Sequence, residues 1–518
     1  MFVAAKERKG TQQNDGAFAP LPQCGRGVGG EGHPAHPNAL FVTLENMFFP
    51  PMNLLLLGLL LAGTLLMGTH ATQAQQPLAQ TTTVYLPLVI KPGMPSGVVG
   101  PTELNLRAAT HLGGSDDDHA AAVVLGADGT VIVAGTLPGY QPPGVVPTTL
   151  LDGSDGWLLR FSTDGQLLGA TRLGAEVTGL AVDPTGTLVA CGDFGLAALS
   201  AEAQSLLWHA EVGAGRRCAV GLDGTSAVLV ENEVALVAAN GTPLGRWSAG
   251  RGSSNDLVVD GQREQVIVTG FVQITSNLQI PFIRAYSYTG ELRWRSYDFP
   301  AGTPNLGTAD TRGERLALGQ DGMLYVAGSI NGGTGASIFV RDPKDTSQSA
   351  TDRIVVTDRY TNPFNVGSIK MLWIGRFDPA DGTLLLGQSL LTRLSNERGN
   401  SISAAAMTAS SDGTVYLAGQ AFASLAQRDD VVINGARIGS YGGGDAYVLV
   451  LSPDLRQRQL WVAFSAEDGS RGGAVGLAVD NETVALVANL TRGAFVTHNA
   501  LQAAPGGGTD AYMAVWAR

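Results

Sequence analysis

Asp116, Asp117, Asp118 and His119 place three carboxylates and an imidazole in four consecutive positions. Hard carboxylate oxygens suit Ca²⁺. The twelve-residue ligand spacing of a calcium loop does not surround them, so a solvated acidic turn is the competing reading. Beyond Cys24 near the amino terminus only two cysteines remain, Cys191 and Cys218. Two thiols cannot make a zinc site or a disulfide framework; they either form a single bridge or stay as buried thiols. The histidines after residue 74 are His111, His119, His209 and His498, and none belongs to a His-Glu-x-x-His pair. No Gly-x-Ser-x-Gly nucleophile elbow stands between a strand and a helix, and SSDGTVYLAG (410–419) lacks the spacing of a sialidase Asp-box. No catalytic residue is assigned and no cofactor is expected, Ca²⁺ being the one cation the acidic run could take.

A second group of residues repeats. Asp155, Asp445 and Asp510 each precede an aromatic residue by two positions, Trp157, Tyr447 and Tyr512. A position that recurs is most economically structural, with the carboxylate bonding local amides and the ring packing between layers.

These residues must be held by strands, because the sequence repeats a β pattern. In HAAAVVLGADGTVIVAGT (119–136) alternating apolar residues flank an Asp-Gly turn, a strong hairpin signal. The unit recurs at 177–193, 256–270, 315–329, 404–419 and 475–490, with a weaker copy at 218–233. A second kind of hairpin follows, as in DGWLLRFSTDGQLLGATRLG (155–174) or DAYVLVLSPDLRQRQLWVAF (445–464). With the strands called A, B, C and D in order, each unit is a four-stranded antiparallel meander. The expected fold is all-β: a seven-bladed β-propeller of four-stranded antiparallel blades over 102–518. The chain stops after a C-like strand, DAYMAVWAR (510–518), and the repeats start with an orphan D-like strand, LNLRAATHLG (104–113). The first would complete the last blade and close the ring, removing exposed edges.

In such a ring the D-to-A and B-to-C connections share one face. The excess length sits in the B-to-C connections 137–154, 271–280, 331–370, 422–444 and 491–509. Insertions confined to one face mark a binding side.

LGGSDDDHAAAVVLGADGTVIVAGT with GSDGWLLRF, and GGGDAYVLVLSPDLRQRQLWVAF near the other end, resemble the bacterial seven-bladed β-propeller repeat family (SBBP type). The resemblance implies secreted or cell-surface proteins with no common enzymatic activity. ELRW (291–294), SLLW (205–208) and RQLW (458–461) are similar to the D strands of quinoprotein-like propellers, which include both enzymes and noncatalytic scaffolds.

Charge and the amino-terminal end set the compartment. After residue 74 there are 29 basic against 41 acidic residues, and the lysines there are Lys91, Lys344 and Lys370. Nucleic acid, which is bound through clustered positive charge, is therefore not an expected partner. The 14 apolar residues LLLLGLLLAGTLLM (54–67) are short for a membrane span and suit a signal-peptide core. The reading is an over-extended or unstructured leader (1–51), a cleavable signal peptide (52–74) and a linker (75–101). The mature chain has no transmembrane span, is secreted or on the cell surface, and is a monomer. The expected function is noncatalytic binding of a protein or polysaccharide partner through the loop-rich face. The alternatives are a channel-centred lactonase, lyase or quinoprotein-like enzyme, or a structural component of the cell envelope.

Overall fold

The computed structural model describes residues 102–518 except 305, 307–308, 332–336, 357–368 and 395–398. The expected leader, signal peptide and linker lie outside the described residues.

Each A/B hairpin turns where an Asp side chain can hold the turn. Asp128 accepts from the Thr130 amide and hydroxyl at 3.1 and 2.6 Å. Asp183 does so from Thr185, Asp223 from Thr225, and Asp412 from the Thr414 amide. Gly129, Gly186, Gly224 and Gly413 take positive φ at these turns, which a residue with a Cβ adopts only at a cost. The turn at 260–265 differs. There Glu264 carries the positive φ of 48°, and Asp260 accepts from the Arg263 amide.

The innermost strands form a closed circuit. His119–Leu125 packs against Val177–Val182, which packs on Arg217–Val220, then Ser253–Asp260, Thr311–Leu318, Ile402–Ala409 and Arg471–Val479, which returns to His119–Leu125. Sheets radiating from a closed circuit of first strands make a β-propeller. Leu106–Leu112 pairs antiparallel with Asp510–Ala517, His111 opposite Tyr512, and supplies the outer strand of the sheet built from Arg471–Val479, Thr483–Arg492 and Asp510–Ala517.

The expectation of seven uniform four-stranded antiparallel blades is corrected by the strand pairing. Eight sheets of three or more strands form: five of four strands, two of five and one of three. The four-strand meander recurs in the four- and five-stranded sheets. In the two larger sheets a segment of the B-to-C insertion returns along the outer edge in parallel, Thr148–Leu151 beside Leu167–Leu173 and Ile354–Val356 beside Leu384–Leu390. The eighth sheet joins Glu103–Leu104, in parallel, to Val432–Ile433, which forms a hairpin with Ala436–Arg437. The physical reason is the same in all three places. An outer strand or chain end leaves backbone groups unpaired, and a nearby insertion satisfies them.

Apolar side chains fill the wedges between sheets. Trp157, Trp373, Tyr447 and Tyr512, all on C strands, are fully buried. Trp157 donates its indole N–H to the Leu137 carbonyl at 3.1 Å, and the Tyr512 hydroxyl donates to the Val496 carbonyl at 2.7 Å. Each therefore fastens its B-to-C connection while packing the core.

Candidate functional site

The residues that line the channel on the loop-rich face are set by a recurring irregularity of the inner strands. The A/B pairing slips by one residue between Ala120 and Ala122, Val177 and Gly179, Ser254 and Asp256, Gly313 and Arg315, Ala404 and Ala406, and Ala474 and Gly476. A bulge of this kind re-aims one side chain. The extra residues, Ala121, Thr178, Asn255, Glu314, Ala405 and Val475, all line one cavity of about 450 Å³. Arg217–Val220 pairs with its neighbour without a slip and contributes Arg217, with Arg216 just before it.

Three guanidinium groups meet there. Arg216 donates to the Ser254 carbonyl at 2.9 Å and to the Glu231 carbonyl. Arg315 donates Nε to the Ala405 carbonyl and Nη1 to the Glu314 carbonyl, both at 2.6 Å. Burial, and after it the Arg217 guanidinium, push the Arg315 pKa down, while Asp256 and Glu314 oppose the shift. Glu176 and Glu314 are the carboxylates of the mouth. Glu314 accepts from the Ser329 hydroxyl at 2.7 Å.

The opposite mouth is larger, about 1290 Å³, and acidic: Asp128, Asp183, Asp256, Asp260, Asp480 and Glu482 line it with Arg107 and Arg263. Most of those carboxylates are used by the fold. Asp256 bridges two strands by accepting from the Leu257 and Leu316 amides at 3.0 and 2.9 Å, and Asp480 accepts from the Glu482 and Thr483 amides. The mouth on the loop-rich face is the one whose arginines outnumber its carboxylates.

The insertions on that face are tied down individually. Arg428, in a 3₁₀ turn of the 422–444 connection, meets Asp445 through two bonds of 2.6 and 3.0 Å, with both side chains buried. Arg428 also donates to the Gly439 carbonyl, and Asp445 accepts from the Ser465 hydroxyl. Phe339, in the 331–370 connection, stacks on Trp373 with ring centroids 4.0 Å apart. Tyr140 meets Trp157 edge-on. The segment 271–280 is not a loop. Gln265–Thr275 and Leu278–Ser287 continue as a hairpin through it, burying Val272 and Ile280.

The residues singled out in the sequence fall as follows. Asp116, Asp117 and Asp118 do not converge. Asp117 accepts from the Thr509 amide and Asp118 from the Gly114 amide, and among the described residues no group of three His, Cys, Asp or Glu side chains could hold a metal ion. Asp118 is buried, and desolvation raises its pKa to about 6, with the neighbouring carboxylates of Asp510, Asp116 and Asp117 adding to the shift. Cys191 and Cys218 do meet between adjacent sheets, with no bond between the two sulfurs. A hydrogen bond to Cys191, and then burial, push the Cys218 thiol well up. Asp510 bonds local amides as expected, those of Gly506 and Gly507, whereas Asp445 bonds Arg428. The guanidinium cluster was missed by sequence reasoning. Arg216 and Arg217 stand at the start of an unslipped inner strand and Arg315 just after a bulged residue, so no break of the alternation falls on the arginines themselves.

No known family model matches the sequence, and neither does any curated protein. Among solved structures the chain is similar to U3-55K, with TM-score 0.43 and 8% identity over 79% of this chain and 99% of that one. It is also similar to the WD40 repeats of RRP9, with TM-score 0.44 and 8% identity over 80% of this chain and 98% of that one. Likeness at this level carries no argument about function. The propeller rests on its own closed circuit of sheets. Among the described residues no helix is long and apolar enough to cross a membrane.

Proposed function

We propose that this propeller is a noncatalytic binding protein that holds a protein or polysaccharide partner on the face carrying the B-to-C insertions. The observation that supports this most is that these insertions are individually anchored, by the Arg428–Asp445 pair and by Phe339 on Trp373. Neutral drift would leave long loops without buried ties, since loop length itself costs little. Anchored loops on a rigid scaffold are the usual carriers of recognition. The protein is of the SBBP type, exported by the signal peptide at 52–74, and acts as a monomer at or beyond the cell surface. It requires no cofactor.

The test is a thermal-shift and binding screen of the full chain against a panel of polysaccharides and surface proteins of its natural host. It is repeated with 427–439 replaced by a short turn and with Asp480 and Glu482 on the opposite mouth neutralised. A partner whose binding is lost with the first variant and kept with the second supports the reading. Turnover of a lactone, or stabilisation by a quinone with dehydrogenase activity, would replace it with an enzymatic one.

A further inference from the structure

We propose that the channel mouth on the loop-rich face is a binding site for a sugar acid, a small polyhydroxy compound carrying one carboxylate. The cavity of about 450 Å³ lies in the range of small-ligand clefts. It gathers Arg216, Arg217 and Arg315, and among the described residues none of the three has a carboxylate within ion-pair distance. Arg216 and Arg315 spend part of their donors on backbone carbonyls. The Arg217 side chain makes neither a hydrogen bond nor an ion pair among the described residues. Like charges held together in a partly desolvated cavity raise the energy of the unliganded protein, and a carboxylate relieves it through charge-assisted hydrogen bonds.

The other lining groups decide which anion fits. Glu176 and Glu314 leave the mouth with one formal positive charge beyond neutrality when His119 is uncharged, which matches one carboxylate. A phosphate dianion would bring its second charge against those carboxylates. Glu314 has one oxygen occupied by Ser329 and the other only at 3.5 Å from the Asn255 amide, so it can accept from ligand hydroxyls. Guanidinium for the carboxylate and Glu and Asn oxygens for the hydroxyls is the donor–acceptor set of a sugar acid. The site lies in the channel and not on the insertions, so this inference and the partner reading stand or fall separately.

Isothermal titration of the full chain with glucuronate, glucose and inorganic phosphate tests it. Glucuronate is expected to bind, with glucose and phosphate at least about tenfold weaker. Arg217→Ala should weaken glucuronate by about tenfold or more, the loss of one charge-assisted contact, while Glu482→Gln at the opposite mouth leaves it unchanged. Should Arg217→Ala not fold, modification of Arg217 in the wild-type chain by phenylglyoxal, read by mass spectrometry, must slow in glucuronate and not in glucose. No heat with glucuronate, equal binding of glucose or phosphate, or unchanged affinity or labelling at Arg217 overturns the proposal.

Discussion

Removing the Asp445 carboxylate should release the 422–444 insertion and identify what holds it. In the native chain two charge-assisted bonds, of 2.6 and 3.0 Å, join Asp445 to Arg428, and both side chains are essentially inaccessible to solvent. Asp445→Ala deletes both bonds and the one from Ser465, leaving Arg428 buried with the Gly439 carbonyl as its main remaining acceptor. A buried charge stripped of its partner costs about 3–5 kcal/mol. The pair joins an insertion to the first residue of a C strand, so much of this cost should be local. A local loss of about 3 kcal/mol raises hydrogen exchange of the insertion's amides by about two powers of ten. The assay is native-state exchange read by mass spectrometry on peptides from 422–444, with urea unfolding of the same variant. Arg428→Met combined with Asp445→Leu should cost less than Asp445→Ala alone, because no orphaned charge remains. A cost for Asp445→Ala below about 1 kcal/mol, or faster exchange spread evenly over all sheets, would refute the assignment of Asp445 as the insertion's anchor.

Two further outcomes follow from buried groups. Asp118 has its folded pKa raised from 3.8 to about 6, so its contribution is fully present below about pH 4 and is lost as pH rises through 6. Integrated, the loss is at most about 3 kcal/mol. Urea unfolding should therefore find Asp118→Asn more stable than wild type above pH 6, with the gap closing towards pH 4; a gap independent of pH contradicts the shift. Cys191 and Cys218 should both react with a thiol reagent in denaturant, in equal number with and without reductant, and a lower count without reductant would mean that the bridge forms in solution.

What the sequence made legible was whatever repeats with a local cause. Asp-Gly and Asp-x-Thr turns specify hairpins within four residues, so four of the seven A/B units could be located from Asp128, Asp183, Asp223 and Asp412 alone. Glycine is not always the turn residue: in 256–270 the hairpin turns on Asp260 and Glu264, not on Gly261. Polar residues among apolar ones also hid the hairpin through 271–280, where Val272 and Ile280 carry the burial. The parallel outer strands left no signal, because Thr148–Leu151 and Ile354–Val356 are too short to show a period and gain their hydrogen bonds from a distant edge.

The channel mouth was illegible for a different reason, and that reason bears on function. Arg217 and Arg315 are nearly a hundred residues apart, and each looks like an ordinary polar residue just before an apolar run. Only the closed circuit makes them neighbours. The bulges then turn one residue of most inner strands towards the axis, so part of the mouth's lining is written where the β pattern breaks and its arginines lie beside those breaks or on the one unslipped strand. A recurring break of this kind is informative because it turns side chains out of the wedges between sheets and into the channel, even where they also tie neighbouring strands, as Thr178 does to Gly215 and Asn255 to Gly313. At those positions the residue types differ from sheet to sheet, from Ala121 and Ala405 to Thr178, Asn255 and Glu314. The scaffold's repeat is therefore carried by residues that recur from sheet to sheet, and the mouth's chemistry by the bulged residues together with the arginines beside them, which do not recur.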